Sequence, residues 1–251
     1  MSTDNGPADA LTARARELWK SLAGTAARFA PAVHAAVSPR SSLCPPGWSG
    51  IVVIGGAVLA TAPDHDTARR IEQALGGLPV AALADGGTLG GRLPAAEILG
   101  PAALAYLDPA DFRACPGGAR TTPADLDDPG FRRFLLAADA ADVEESGITE
   151  ITTPAFAVLE HGQVVAAAGY RDWPRGTAHL SVLTASAARG RGLGCAAASA
   201  AVARAVEEGR LPQWRARPAA SRGVARALGF RELGFQVSIR LAPAAAAAGR
   251  A

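Results

Sequence analysis

The chain has 251 residues, 49% of them hydrophobic and 19% charged, with a formal net charge of +2. This is the make-up of a soluble globular protein, and the length allows one large or two small domains. No apolar run reaches the ~18 residues that cross a bilayer, and residues 1–9 lack the basic start and apolar core of a secretory signal, so the cytoplasm is the expected compartment.

Residues 8–23 place Leu11, Ala15, Leu18 and Trp19 at helical spacing. A second helix is expected over 26–37, followed by a proline- and serine-bearing connector over 39–50. Residues 50–60 read as a strand pair or a bent strand, with Gly55-Gly56 between two apolar runs. Asp64 or Asp66 caps a helix that runs to Leu75 and stops at Gly76-Gly77. Short strands are expected over 79–84 and 102–107. Residues 1–120 thus form a smaller α/β or α+β domain without a motif that names a reaction. Two roles stay open for it: shaping an acceptor pocket, or being a degenerate copy of the domain that follows.

The polar stretch 108–129, with its Pro and Gly, marks the boundary. Residues 130–145 are expected to be helical, with Phe131, Phe134, Leu135 and Ala138 on one face. Strands over 156–160 and 163–170 flank His161-Gly162, a hairpin turn. The next strand, 177–184, leads into Arg189-Gly-Arg-Gly-Leu-Gly194, and an alanine-rich helix follows over 195–208. Successive N–H groups at such a helix start converge on an anion. Gly192 and Gly194 let a bulky diphosphate approach the main chain, and Arg189 and Arg191 add charge where phosphates would sit. A Walker loop needs a lysine before Ser or Thr, but Lys20, far away, is the only lysine. A Rossmann loop needs G-x-G-x-x-G, whereas the glycines here fall as G-x-G-x-G. A strand over 211–216, a helix over 221–230 ending in Leu-Gly-Phe, and an alanine tail over 242–251 complete the chain.

Strand, R-x-x-G-x-G, helix, and the downstream Leu-Gly-Phe resemble the acyl-CoA loop region of the GNAT superfamily of N-acetyltransferases. The resemblance covers about 130–241, within a domain drawn at 121–241. It implies a mixed α/β sheet flanked by helices, with acetyl-CoA or another acyl-CoA as co-substrate. It also implies acyl transfer to a primary amine, that of a small molecule, with a homodimer allowed. By position, main-chain groups of Val182, Leu183 and Thr184 would hold the pantetheine arm. Arg189, Gly190, Arg191, Gly192, Leu193, Gly194 and Cys195 would take the diphosphate, and Ser221 would cap or line the following helix.

The chain departs from the family where the chemistry lies. Pro218 stands where many members have asparagine. Ala225 stands where many have a tyrosine that protonates the leaving thiolate, and Ala178 where many have a glutamate base. His179 and Glu145 are the candidates for proton removal from the amine, and Tyr170 and Asp172-Trp173 lie near the same region. Three readings follow from this: an N-acyltransferase, a non-catalytic acyl-CoA-binding module, and a transferase using another donor such as aminoacyl-tRNA. Ten arginines against three glutamates between 189 and 240 fit a polyanionic ligand, but the scarcity of aromatics argues against nucleic acid. Cys44, Cys115 and Cys195 are odd in number and widely spaced, which argues against a disulfide framework and offers no metal-ligand spacing. Cys195 stands at a helix start that favours a thiolate, and reads as either a reactive thiol or a small packing residue.

Overall fold

A computed structural model describes residues 7–115 and 119–243. The expected alanine tail lies, from 244 onward, outside the described residues. Among the described residues no helix is long and apolar enough to cross a membrane. The described residues form two compact units, one of residues 7–14, 103–115 and 119–232 and the other of residues 15–102 and 233–243. Helix α1 (Pro7–Leu22) opens the chain and buries Leu11, Ala15, Leu18 and Trp19 as its periodicity predicts.

The second unit is built on strands β1 (Ala35–Val37), β2 (Ser49–Ile54) and β3 (Ala57–Ala62), together with β10 (Arg231–Leu241) and the first part of β4 (Ala95–Tyr106). β2 and β3 form the expected hairpin, turning through Gly55 and Gly56 at φ of 56° and 75°. β10 runs antiparallel to β2, with Gln236 opposite Val52 and Ser238 opposite Gly50. Helix α2 (His65–Leu75) buries Ala68, Ile71 and Leu75, and the Asp64 side chain caps it by accepting from the Thr67 N–H at 2.8 Å. Two expectations fail here. Residues 26–37 are not helical. Pro31 lacks a donor and disfavours helix before it, so Ala30 pairs with Val58 and β1 lies parallel to β3. Residues 79–84 are a 3₁₀ turn after Pro79, not a strand, and α3 (Gly86–Arg92), capped by Asp85, follows.

The first unit carries a sheet in the order β4, β9 (Leu211–Ala216), β8 (Thr177–Thr184), β7 (Gln163–Trp173), β6 (Ala155–Glu160), β5 (Thr121–Ala124). β8 and β9 are parallel; the other pairs are antiparallel. β6 and β7 turn through His161 and Gly162, both at positive φ, as a tight hairpin requires. Alternation along β7 divides the core. Ala166, Ala168 and Tyr170 face α6 (Leu193–Glu207), whose Ala197, Ala198, Ala201 and Val202 are fully buried. Ala167 faces the other way, toward Phe131, Phe134, Ile148 and Ile151. Small side chains on both sides let α6 lie close to the sheet.

Residues 130–145 do not form one helix. α4 (Pro129–Ala137) ends at Ala138, and α5 (Ala140–Ser146) restarts with Asp139 accepting from the Ala141 N–H at 2.8 Å. α7 (Ala219–Ala227) begins after Pro218, so Ser221 sits inside its first turn and does not cap it.

Residues 103–106 pair with β9, and residues 234–239 pair with β2. A fragment beginning at Pro123 therefore removes the strand beside β9 together with the buried Leu104, Tyr106 and Leu107. Each such side chain is worth about 1.5–3 kcal/mol of burial, so this fragment is expected to lose cooperative thermal unfolding. A sharp melt by circular dichroism would contradict that.

Candidate functional site

The parallel pairing of β8 with β9 runs only from Thr177–Leu211 to His179–Gln213. Beyond that rung β8 continues to Thr184 and β9 to Ala216, and a cleft of about 470 Å³ opens where they part. Leu180, Val182, Leu183 and Thr184 line one wall, and Trp214, Arg215 and Ala216 the other. A strand edge without a neighbouring strand presents N–H and C=O groups at alternate residues. This is what an extended amide-bearing chain would need.

The loop 189–194 closes the far end. Gly190 and Gly192 have φ of 74° and 77°. Gly192 stands at the N-cap of α6 and offers no capping side chain, and the first helical bond runs from the Ala196 N–H to Gly192 O at 3.0 Å. The N–H groups of Leu193, Gly194 and Cys195 precede that bond and form the positive end of a fifteen-residue helix. A Cβ on Gly192 would meet nothing within 4 Å, whereas one on Gly194 would lie 2.5 Å from Thr184 Oγ1. Gly192 keeps the space above the helix start clear, and Gly194 lets the helix pack on β8.

Carboxylates hold the loop arginines. Arg189 Nη2 lies 2.5 Å from Asp142 Oδ2 on α5. Arg191 pairs with both oxygens of Glu160, at 2.9 and 2.5 Å, and is not among the cleft residues. Its hydrogen bond holds the Glu160 carboxyl below the usual range. One turn along α5 from Asp142, Glu145 pairs with Arg217, which follows β9. Asp142, Glu145 and Arg189 all line the cleft. Helix α5 is thereby clasped to both sides of it.

Of the expected cofactor residues, Val182, Leu183, Thr184, Arg189, Gly190, Gly192, Leu193, Gly194, Cys195 and Ser221 are brought together around this cleft, and Arg191 stands outside. Ser221 Oγ accepts from Trp214 Nε1 at 3.0 Å. Of the two proton-transfer candidates, Glu145 lines the cleft and His179 does not. The His179 ring stacks on Trp173 with centroids 4.0 Å apart, and its Nδ1 bonds to Gln213 Oε1. Burial, and then the Arg215 charge, hold its pKa down at about 3. It is neutral at physiological pH and a weak base. Ala178 and Ala225 are buried packing residues.

Cys195 does not gain thiolate character from the helix start. Burial and the neighbouring Cys115 thiol push its pKa up to about 12, the direction desolvation gives. Among the described residues no group of His, Cys, Asp and Glu could hold a metal ion. The arginine excess of 189–240 is largely neutralised: Arg222 pairs with Glu232, Arg231 with Asp111, and Arg210 with Glu208 and Asp172. Trp214, Arg215 and Asp142 take positions at the cleft that the motif does not reveal. The Asp142–Glu145 spacing of three on a helix was the one available signal.

Tyr170 serves packing and not the cleft. Its hydroxyl donates to Glu208 Oε2 at 2.6 Å. This bond and those from Arg210 and Arg204 hold Glu208 down at about 2, from an ordinary 4.5. A depressed carboxyl pKa stabilises the fold above the unfolded value and loses that stabilisation as pH falls through the folded one. The stabilisation from Glu208 should therefore vanish between about pH 4.5 and 2. Glu208→Gln is expected to lower Tm at pH 7 and to have little effect near pH 2. An equal Tm difference at both pH values would contradict this.

A family model described as GNAT acetyltransferase matches residues 153–234. No curated protein sequence matches the chain. Solved structures similar to it include an acetyltransferase from the GNAT family of Colwellia psychrerythraea, at 15% identity and a TM-score of 0.46, over 58% of this chain and 57% of that one. A GCN5-related N-acetyltransferase from Kribbella flavida is similar at 20% identity and a TM-score of 0.42, over 61% of each chain. The chain thus spans about three fifths of the length of these two proteins. A GCN5-related N-acetyltransferase-like protein from Streptococcus suis 89/1591 is similar at 15% identity and a TM-score of 0.47, over 92% of this chain and 98% of that one.

Proposed function

We propose that the protein is an acyl-CoA-dependent N-acyltransferase that moves an acetyl or other short acyl group to a primary amine of a small molecule. The observation that carries this reading is the cleft between β8 and β9, closed at one end by open N–H groups beneath Gly192. Those N–H groups receive the diphosphate, and Arg189 exchanges Asp142 for a phosphate oxygen. The pantetheine amides bond to main-chain groups of Val182 to Thr184. The thioester then comes to the apex of the cleft.

In the reaction the amine nitrogen attacks the thioester carbonyl carbon, the C–S bond breaks and an amide forms. One proton leaves the amine and one is taken up by the departing thiolate. Ala178 and Ala225 supply no ionisable group, and Glu145 is held by Arg217. Solvent carries both protons, with Glu145, which lines the cleft, giving at most the ~10²–10⁴-fold help of a general acid or base. Release of free CoA thiol from acetyl-CoA, followed across a panel of small amines, tests the reading. Amine-dependent release supports it.

The absence of an acid or base at 178 and 225 supports a second reading, an acyl-CoA-binding module without turnover. Tight CoA binding with no amine-dependent thiol release would establish that one instead. The aminoacyl-tRNA reading gains no support from the C-terminal arginines, because their charge is spent on Glu232, Asp111, Glu208 and Asp172.

A further inference from the structure

Trp214 occupies the first β9 position past the last paired rung, His179–Gln213. It is 4% exposed and lines the cleft together with Leu180, the first β8 residue past the same rung. Its indole is fixed at two points. Nε1 donates to Ser221 Oγ at 3.0 Å, and the ring meets Phe230 edge-on, with centroids 5.5 Å apart and planes at 72°. Ser221 belongs to α7 and lines the cleft beside Trp214, and Phe230 follows that helix, so the indole is held against α7. Trp214 therefore gives the cleft a held aromatic wall beside the last paired rung.

From Thr184, beside the diphosphate loop, back to Leu180 is four residues of extended strand, about 13 Å at ~3.3 Å per residue. An extended pantetheine arm has a comparable reach. A cofactor seated on Leu193–Cys195 and laid along β8 brings its sulfur to the Leu180–Trp214 end.

We propose that Trp214 sets the length of the acyl group this site accepts, admitting acetyl and rejecting longer linear chains. This inference rests on the acyl-CoA reading above. Carbon atoms added beyond the acetyl methyl run into an indole that cannot turn without breaking its bond to Ser221 and its contact with Phe230. Packed interiors resist such overfilling, and a single methylene in a shaped apolar pocket discriminates about tenfold or more.

The test is calorimetric titration of the full chain with CoA, acetyl-CoA and hexanoyl-CoA. Wild type is expected to bind hexanoyl-CoA at least about tenfold more weakly than acetyl-CoA. Trp214→Ala should remove most of that difference by strengthening hexanoyl-CoA binding, with acetyl-CoA affinity changed much less. If Trp214→Ala does not fold, Trp214→Phe keeps a ring, loses the bond to Ser221 and shortens the wall. It should bind hexanoyl-CoA several-fold better relative to acetyl-CoA. Equal binding of the two esters by wild type, or an unchanged preference in the folded variant, overturns the proposal and leaves the acyl-CoA site standing. Failure of wild type to bind CoA itself overturns both, so the two failures are distinguishable.

Discussion

Gly192→Val is expected to weaken CoA binding by about 100-fold or more while the protein stays folded. Gly192 stands over the N–H groups of Leu193, Gly194 and Cys195, and a Cβ there meets no protein atom within 4 Å. The added isopropyl group would enter open space, which on the proposed reading is where the diphosphate sits. Losing two charge-assisted hydrogen bonds at about 1.5 kcal/mol each gives roughly that factor. The cost to the fold is the strain of a β-branched residue at φ 77°, about 1–2 kcal/mol, seen as a Tm lower by a few degrees. Gly194→Ala should show the reverse balance, because its Cβ would meet Thr184 Oγ1 at 2.5 Å and push the helix off β8. Calorimetry and thermal melts on both variants check this. Wild-type CoA affinity in Gly192→Val would remove the loop from the cofactor site.

The second expectation concerns pH. The rate of thiol release should climb about tenfold per pH unit wherever the acceptor amine is mostly protonated, as an alkyl amine with a pKa near ~10 is at neutrality. Three units give a thousandfold range. No step should appear at about pH 6–7, where an ordinary histidine titrates. His179 is held at about 3 by burial and by Arg215 and Arg171, so it stays neutral across the whole range. The sign is fixed by the cause: desolvation disfavours the cation, so protonation is postponed to acid pH. His179→Ala should then lower the plateau at most modestly and leave the slope unchanged. An NMR titration of the His179 ring that showed a midpoint near 6.5 would refute the burial argument. A pH-independent rate would refute solvent-carried proton removal.

The loop 189–194 was legible in the sequence because its glycines do one local thing each, and glycine spacing survives without knowledge of the rest of the chain. Helix α2 and the hairpin at His161-Gly162 were legible for the same reason, through Asp64 and a positive-φ pair. Residues 26–37 misled because alanine favours a helix, while Pro31 and the open edge of β3 settle the matter. Residues 130–145 misled because the apolar spacing of Phe131, Phe134, Leu135 and Ala138 suits one helix, while Asp139 just beyond it caps a second. The environment of His179 was illegible in principle. Strand alternation gives two faces, and only the rung with Gln213 and the stack on Trp173 say what lies on each. Trp214 was missed because a buried indole in a strand reads as core, and only the parting of β8 from β9 turns it into a wall of the cleft.

The double clasp of α5, Asp142 to Arg189 and Glu145 to Arg217, has a kinetic corollary. Both pairs are substantially exposed, so dissolved ions weaken them readily. The same ions screen the attraction between a polyanion and the loop, which slows encounter. Salt therefore acts on capture in opposite senses, loosening the clasp and dulling the lure. The association rate constant for CoA should pass through a maximum as ionic strength rises, where simple steering would give a steady fall. Asp142→Asn, with nothing left to loosen on that side, should move the maximum toward lower salt.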